Sequence, residues 1–447
     1  MDRSRPMLRR ASPFVTFLLT LCVAVFQAHP SPAADVVLRG MIVTPAASFN
    51  GDVTFSGDTL MCVAPACTVP AGAMVIDTHG AYIYPGFIDA HNHVAYNILP
   101  KFTPPKVYTN RTQWEGADAY KAFKKPYDDL KSQGLFCEMV KYGEIRALLS
   151  GVTTIEGTSP ASQCIGVLVR NAENQNGLGL PSDYIRTFIL DINSFKGAID
   201  WTKTKSFVVH LAEGTNESAR AEFQTLKQKG LLHKETAIIH GTAFTDAEFT
   251  EMGQIGANLI WSPQSNLVLY QKTTNIPLAR QHGVSVSVGV DWNPTGSDTI
   301  FDELRVADGV NTSTFTGAIA SSEWLSMITT NPAKALALDA KVGKLAQGFK
   351  ADITVVAHQD NDPSVNLLKT HLPDVQMVWI GGQLLYGDKA IFESVKPNAC
   401  EAFAVAGVEK RLCVADPTST APKHDQTLAV IQNTLSQSYP QLAPLVR

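Results

Sequence analysis

The chain has 447 residues, of which 45% are hydrophobic and 17% are charged. It is therefore long enough for one large domain with an accessory domain, or for two or three ordinary domains. The formal net charge of −4 and the isoelectric point near 6.3 argue against a nucleic-acid partner and against binding to an anionic membrane surface.

The N-terminal segment has the features of an export signal. Four arginines within the first ten residues precede an apolar run from Phe14 to Phe26, which is too short for a membrane span of about 20 residues. Small residues follow at Ala28, Ala33 and Ala34. We predict a signal peptide over residues 1–34, a periplasmic or secreted protein, and no membrane contact beyond this segment. An uncleaved N-terminal anchor is the alternative.

Six cysteines follow the predicted signal peptide, and none has the C-x-x-C spacing of a zinc site. They are Cys62, Cys67, Cys137, Cys164, Cys400 and Cys413. An even number of cysteines in an exported chain indicates disulfides. Pairing each cysteine with its nearest neighbour (62–67, 137–164 and 400–413) is the simplest of the 15 connectivities that six cysteines allow.

Strand-like and helical segments alternate between Pro85 and Asp339, as in a fold built from βα units. The strand-like segments are Gly86–His93, Gly151–Glu156, Ile165–Val169, Tyr184–Leu190, Phe207–His210, Ala237–His240, Asn258–Trp261 and Val284–Val290. Eight strands within these 255 residues predict an α/β protein with a (β/α)8 TIM barrel, which needs about 250 residues.

Both flanks of this region contain short strands separated by turns. We predict that residues 35–84 and 340–394 form one small composite domain, a β-sandwich built from both chain ends. The tail over residues 395–447 is predicted to contain one helix, Asp425–Gln437, and no catalytic residue. The long first connection, from Val94 to about Lys131, is expected to lie over the mouth of the barrel.

Several metal-ligand residue types fall at the ends of the predicted strands. In a strand, the spacing of His91 and His93 points both imidazoles to the same face, which supplies half of a metal site. His210, His240 and Asp291 end later strands, and strand C-termini converge on one face of a barrel. Each of these residues alone is more often structural. Together, His91, His93, His210 and Asp291 predict a site for one divalent metal, with Zn²⁺ favoured over Fe²⁺.

These motifs resemble the amidohydrolase superfamily of metal-dependent hydrolases. The resemblance rests on Pro85–His93, His210, His240, Asp291 and Gly348–Val356. Within the superfamily, the segments His210–Glu213, Trp261–Leu267 and Gly289–Trp292 look like those of the cytosine deaminase and chlorotriazine hydrolase branch. That branch implies a single metal. A bridging lysine is missing from the predicted third and fourth strands, and Glu156 is the only nearby carboxylate.

The resemblance also implies a role for each site residue. The metal would make hydroxide available at neutral pH, with Asp291 as the general base. Glu213 would protonate the ring nitrogen or the leaving amine, and His240 would orient the hydroxide or polarise the electrophile. The weaker substrate-binding candidates are Ser265, Asn266 and Trp292 by resemblance, and Arg111 and Trp114 from the long first connection.

The sequence therefore predicts an exported hydrolase of non-peptide C–N bonds with a small-molecule substrate, most simply a deaminase of a heterocycle. The first alternative is an amide or dipeptide hydrolase with two metals. The second is a non-catalytic binding protein on the same fold, because fold alone does not imply function. A homo-oligomer is left open.

Overall fold

The computed structural model describes residues 35–157, 168–173, 178–395, 400–417, 419 and 423–446. Its strands are β1 (Val36–Val43), β2 (Ser48–Ser56), β3 (Thr59–Ala64), β4 (Met74–Pro85), β5 (Phe87–Asp89), β6 (Val152–Ile155), β7 (Arg170–Asn171), β8 (Ile185–Phe188), β9 (Ser206–Leu211), β10 (Thr236–His240), β11 (Asn258–Trp261), β12 (Ser285–Val288), β13 (Ile353–Val356), β14 (Val375–Ile380), β15 (Gln383–Asp388), β16 (Glu401–Val405) and β17 (Val408–Leu412).

The α-helices are mostly short and lie mainly between the strands of the central region. They are α1 (Arg111–Glu115), α2 (Asp118–Ser132), α3 (Phe136–Leu149), α4 (Glu217–Gln228), α5 (Asp246–Ile255), α6 (Pro263–Tyr270), α7 (Ile276–Gln281), α8 (Ile300–Ser313), α9 (Glu323–Met327), α10 (Thr330–Ala335), α11 (Pro363–Lys369), α12 (Lys389–Val395) and α13 (Leu428–Ser438). None of these helices is both long and apolar enough to cross a lipid bilayer.

Strands from both chain ends form one mixed sheet, in the order β16-β17-β15-β14-β13-β4-β1-β2-β3. β1 and β4 pair in parallel, whereas β4 and β13 pair antiparallel and so join the N-terminal strands to the C-terminal ones. The α/β class and a β-sheet built from both ends are thus as the sequence predicted. All nine strands belong to a single hydrogen-bonded sheet, and its folding into a two-layered sandwich stays a prediction.

The C-terminal tail contributes more structure than the sequence predicted. Besides the helix α13, it contains the hairpin of β16 and β17, and β17 pairs with β15. The sequence does not predict this hairpin because its strands are five residues long and partly exposed, so they lack a clear apolar pattern. The sheet therefore continues to Leu412, past the predicted end of the small domain at residue 394. The domain boundaries themselves stay predictions.

The central strands form two parallel groups, β5-β6-β7 and β12-β11-β10-β9-β8. Backbone hydrogen bonds connect the two groups just beyond β5 and β12. The Asp291 N–H donates to the His91 carbonyl at 2.7 Å, and the His93 N–H donates to the Asp291 carbonyl at 2.6 Å. Closure of these eight strands into a TIM barrel stays a prediction at this point.

The two parallel groups also share a hydrophobic core. Ile88 of β5 packs in the same buried cluster as Val208 of β9, Ile239 of β10 and Ile260 of β11, and α10 contributes Ala333. Parallel strands that are buried on both faces are apolar throughout, which makes them easy to recognise in a sequence. The sequence therefore located seven of the eight strands to within a few residues. The third predicted strand, Ile165–Val169, lies mostly outside the described residues, and the observed β7 follows it at Arg170.

Two predicted disulfides are present. Cys62 pairs with Cys67, and Cys400 pairs with Cys413. The predicted pair of Cys137 with Cys164 involves a residue outside the described part of the chain, as does the whole predicted signal peptide.

Candidate metal centre and active site

Four of the predicted ligand residues meet at the C-terminal ends of the parallel strands. The Nε2 atoms of His91, His93 and His210 lie 2.9–3.3 Å from one another. The Asp291 Oδ1 atom lies 3.4 Å from His91 Nε2 and 3.5 Å from His93 Nε2. The structure thus brings together side chains that are separated by up to 200 positions in the sequence.

This donor set fits a divalent metal ion. Ligands at zinc distances of about 2.0–2.1 Å in a tetrahedron are separated by about 3.3 Å, close to the observed donor separations. Three nitrogen lone pairs and a carboxylate that converge on one point need a cation between them. The same strand ends form a second group of possible ligands, His91, His210 and His240. Both groups of donors are buried or nearly so.

The protonation states favour metal binding. Burial lowers the pKa of His93 and His240 to about 3, and it lowers the pKa of His91 and His210 well below the ordinary value. All four imidazoles are therefore neutral at pH 7, which is the form that binds a metal. The His91 ring is held by Ser262, whose hydroxyl lies 2.9 Å from His91 Nδ1.

Two site residues have strained backbone conformations. His240 at the end of β10 has a φ of 71°, and Asp291 just after β12 has a φ of 70°. Residues other than glycine rarely occupy this left-handed region, and such strain concentrates at functional sites. Both residues stand where a strand ends. The left-handed backbone therefore turns each side chain out of the alternating pattern of its strand and toward the cluster of possible metal ligands.

A chain of hydrogen bonds assigns the tautomer of His240. The Trp261 indole donates to the Thr273 hydroxyl at 2.7 Å, and that hydroxyl donates to Asn266 Oδ1 at 3.4 Å. The Asn266 amide must then present its NH2 group to His240 Nδ1, 3.0 Å away. Nδ1 is thus the acceptor, and the proton of His240 is on Nε2. In this tautomer the Nε2–H group of His240 can donate a hydrogen bond into the site.

Glu213 follows β9 and lies beside the metal-ligand set. Its Oε1 accepts a hydrogen bond from the Tyr270 hydroxyl at 2.8 Å, and its Oε2 lies 3.6 Å from His240 Nε2. Burial raises the pKa of Glu213, whereas the charge of Arg111 and a hydrogen bond from Tyr270 oppose that rise. A carboxyl group with a raised pKa can hold a proton near neutral pH and donate it.

Asp291 is also a carboxyl group with a perturbed pKa. Burial raises the pKa of Asp291 well above its ordinary value, and the nearby charge of Glu213 adds to the rise. Two carboxyl groups with raised pKa values in one cleft are typical of acid–base catalysis. The predicted roles of Asp291 and of the other site residues stay predictions.

A cavity of about 170 Å³ opens onto these groups. Four aromatic side chains, Tyr96, Trp114, Tyr120 and Trp292, form much of its wall. The rings of Trp114 and Trp292 are 6.0 Å apart at an interplanar angle of 38°, and Trp292 also contacts Tyr96 and Tyr120 edge to face. Ile189 is exposed at the cavity.

The predicted substrate-binding residues divide into two groups. Trp292, Arg111 and Trp114 line the cavity. Ser265 and Asn266 are fully buried and do not line it. Asn266 lies behind a catalytic candidate, since its amide holds His240, whereas the Ser265 hydroxyl donates to the Ser262 carbonyl at 3.3 Å.

Arg111 attaches the first connection to the site. Its backbone N–H donates to the Glu213 carbonyl at 2.9 Å, and its Nε donates to the Glu115 carboxylate at 2.8 Å. Its guanidinium also donates to the Ile189 carbonyl. Arg111 therefore joins three segments around the cavity, and its charge is compensated by Glu115 and by Glu213, whose Oε2 lies 3.9 Å from Arg111 Nε.

Glu156, the candidate bridging ligand, contributes to a different contact. Its Oε1 accepts a hydrogen bond from the Thr187 hydroxyl at 2.6 Å. Among the residues that the structure describes, Glu156 belongs to no group of three side chains that could hold a metal.

Comparisons with known proteins agree with this geometry. The model of the amidohydrolase family matches residues 194–385. A 5-methylthioadenosine/S-adenosylhomocysteine deaminase from Pyrococcus abyssi is 23% identical over 84% of this chain and 99% of its own length.

Solved structures give the same fold. A triazine hydrolase from Arthrobacter aurescens superposes with a TM-score of 0.63 at 16% identity, over 79% of this chain and 94% of that one. An adenosine deaminase from Xanthomonas campestris, solved with bound zinc, gives a TM-score of 0.59 at 17% identity, over 79% of this chain and 93% of that one.

Proposed function

We propose that this chain, which belongs to the amidohydrolase superfamily, is a metal-dependent deaminase of a planar nitrogen heterocycle. The superfamily places it among the hydrolases that act on carbon–nitrogen bonds. One observation carries the finer proposal. Three neutral imidazoles and Asp291 converge beside a buried carboxyl group, Glu213, on the floor of a cavity walled by aromatic rings.

We propose zinc as the metal, held by His91, His93, His210 and Asp291. When bound, it would lower the pKa of water to about 7 and so supply a nucleophile at neutral pH. The adenosine deaminase that contains zinc supports this choice. The tautomer of His240 supports a single metal, because a protonated Nε2 offers no lone pair to a second ion.

The side chains of this chain would then move the protons. Water adds to the ring carbon that carries the amino group, the C–N bond breaks, and the amino group leaves as ammonia. The Asp291 carboxylate accepts one proton of the water. Glu213 delivers a proton from Oε2 to the ring nitrogen, and the proton taken up by Asp291 passes to the amino group, which leaves as ammonia. The second proton of the water returns to Glu213 as the hydroxyl oxygen becomes the carbonyl, and His240 Nε2–H hydrogen-bonds that oxygen.

The cavity favours an uncharged ring over the substrate of the alternative function, a dipeptide. Aromatic walls stack on a planar ring. A zwitterionic dipeptide would need a free charged partner at each end, and the guanidinium of Arg111 is already compensated by Glu115. Substrates such as aminotriazines, aminopyrimidines and adenine derivatives follow from this chemistry and from the activities named for the similar proteins.

We also propose that the eight parallel strands close into a (β/α)8 TIM barrel. The backbone hydrogen bonds between His91 and Asp291, next to β5 and β12, support closure on one side. The hydrophobic cluster shared by β5 and β8–β11 supports a common interior. The superposition with the triazine hydrolase agrees with this architecture.

Export to the periplasm or the medium remains part of the proposal. It rests on the arginine-rich and apolar N-terminal sequence and on the two disulfides of the described residues, which persist in oxidising compartments.

The test is metal analysis of the purified protein together with a screen for ammonia release. Aminotriazines, aminopyrimidines, adenine nucleosides, N-acyl amino acids and dipeptides should be compared. We expect one zinc per chain and ammonia from an amino-substituted ring, and Glu213→Gln should slow turnover by a factor of about 10²–10⁴. Glu217→Gln, at the exposed start of α4, is the control and should retain the wild-type turnover rate. Two metals per chain with amide or dipeptide cleavage would refute the proposal.

A further inference from the structure

Tyr270 is a buried tyrosine whose hydroxyl group has two partners, both at the active site. It is the last residue of α6 and is only 2% exposed. Its hydroxyl donates to Glu213 Oε1 at 2.8 Å and accepts a hydrogen bond from the Trp114 indole N–H at 2.8 Å. The three side chains therefore form a directed chain of hydrogen bonds, from Trp114 through Tyr270 to Glu213.

The direction of this chain is fixed at both ends. An indole N–H can only donate, so the Tyr270 oxygen is the acceptor toward Trp114. The hydroxyl proton is then available only for Glu213, and Oε1 must be an acceptor. If Glu213 holds a proton, that proton is on Oε2, the oxygen that lies 3.6 Å from His240 Nε2 and faces the site.

We propose that Tyr270 is a positioning residue that turns the proton-bearing oxygen of Glu213 toward the substrate. This inference rests on the proposed function, in which Glu213 delivers a proton. Tyr270 does not line the cavity and acts only through Glu213. Without the tyrosine hydroxyl, the carboxyl group can rotate and place its proton on the oxygen that faces away from the substrate.

The chain contains a matched control. Tyr108 is fully buried in the same aromatic cluster as Tyr270 and Trp114, and its backbone N–H donates to the Leu269 carbonyl. Within the described residues its hydroxyl has no hydrogen-bond partner. Tyr108→Phe therefore removes the same atom as Tyr270→Phe from the same cluster, but it breaks no hydrogen bond.

The experiment is a double-mutant cycle with Glu213→Gln. We expect Tyr270→Phe to slow turnover about 10- to 100-fold with KM changed less than about twofold, since misplacing a reacting group by about 1 Å can cost 10²-fold. In the Glu213→Gln background the same change should slow turnover less than about twofold. Tyr108→Phe should match the wild type in both backgrounds. Equal losses from Tyr270→Phe in both backgrounds would overturn the inference.

A second measurement does not depend on activity. In atomic-resolution crystal structures, the longer C–O bond of the Glu213 carboxyl group, which marks the protonated oxygen, should be the bond to Oε2 in the wild type but not in Tyr270→Phe. The same long bond to Oε2 in Tyr270→Phe would overturn the inference. An enzyme that releases ammonia from none of the substrates would count against the proposed function, whereas the crystallographic comparison would still decide the role of Tyr270.

Discussion

Replacing Gly289 with alanine tests whether the site depends on the close approach of two strand ends. Gly289 follows β12, directly beside His91. A methyl group at Gly289 would lie 2.6 Å from His91 Cβ and 2.6 Å from the His91 backbone nitrogen, where ordinary contacts begin at 3.4 Å. The two segments must therefore separate by about 0.8 Å, the difference between these distances.

That displacement acts directly on the metal ligands. His91 would move away from Asp291, which lies only two residues beyond Gly289 in the chain. A shift of nearly 1 Å can cost about 10²-fold in rate, which corresponds to about 2.7 kcal/mol of transition-state stabilisation. We expect Gly289→Ala to lower kcat/KM by about this factor and to weaken zinc binding in competition with a chelator.

Gly309 in α8 provides the control. A methyl group there meets no atom within 4 Å, so Gly309→Ala should keep full activity and gain up to about 1 kcal/mol of stability. Zinc content, steady-state kinetics and thermal unfolding should be measured for both variants. A Gly289→Ala protein with normal zinc affinity and normal kcat/KM would refute the reasoning.

Three further predictions concern stability. Burial raises the pKa of Glu303 to about 8, so the contribution of Glu303 to stability is greatest below pH 4.5 and falls as the pH rises to 8, by at most about 5 kcal/mol. Glu303→Gln should reduce the dependence of the unfolding free energy on pH, measured by urea unfolding at pH 5–8.5. An equal pH dependence in the variant and the wild type would contradict the raised pKa of Glu303. Arg170 donates two hydrogen bonds to the buried Asp352 at 2.7 and 3.0 Å, so Arg170→Met should cost about 3–5 kcal/mol. Adding Asp352→Asn should recover part of that loss. An unchanged urea midpoint for Arg170→Met alone would disprove the prediction. Lys141 is fully buried and donates to two carbonyls of the C-terminal tail, so Lys141→Met should lower the unfolding free energy by about 2–3 kcal/mol and leave kcat unchanged. A lower kcat at unchanged stability would contradict this.

The sequence was informative wherever a short pattern determines the structure. The alternation of strand-like and helical segments predicted the order of the central region. In α5, the capping box of Thr245 and Glu248 and the left-handed Gly256 show how local residues determine where a helix begins and ends. The spacing of His91 and His93 predicted two imidazoles on one face of a strand; both imidazoles do meet, although β5 ends at Asp89 and the two histidines lie beyond it. The resemblance to the amidohydrolase superfamily was confirmed by the family comparison.

The parts that the sequence did not reveal depend on contacts between distant segments. Tyr270 lies on a helix that carries no catalytic motif at that position, and its importance comes from Trp114, 156 positions earlier in the chain. Asn266 belongs to the recognised segment, but its contact with His240 Nδ1 depends on the orientation of an amide group, which no pattern of residues specifies. The hairpin of β16 and β17 is stabilised by an existing sheet edge, so its own sequence gives little indication of it.

The position of β4 imposes an order on biosynthesis. β1 can pair with one edge of β4 early, but the partner of its other edge, β13, leaves the ribosome only after all eight parallel strands. During that interval one edge of β4 in the nascent chain is unpaired, and an unpaired strand edge promotes association with other chains. Products truncated before Ile353 should therefore aggregate rather than accumulate as a smaller soluble enzyme.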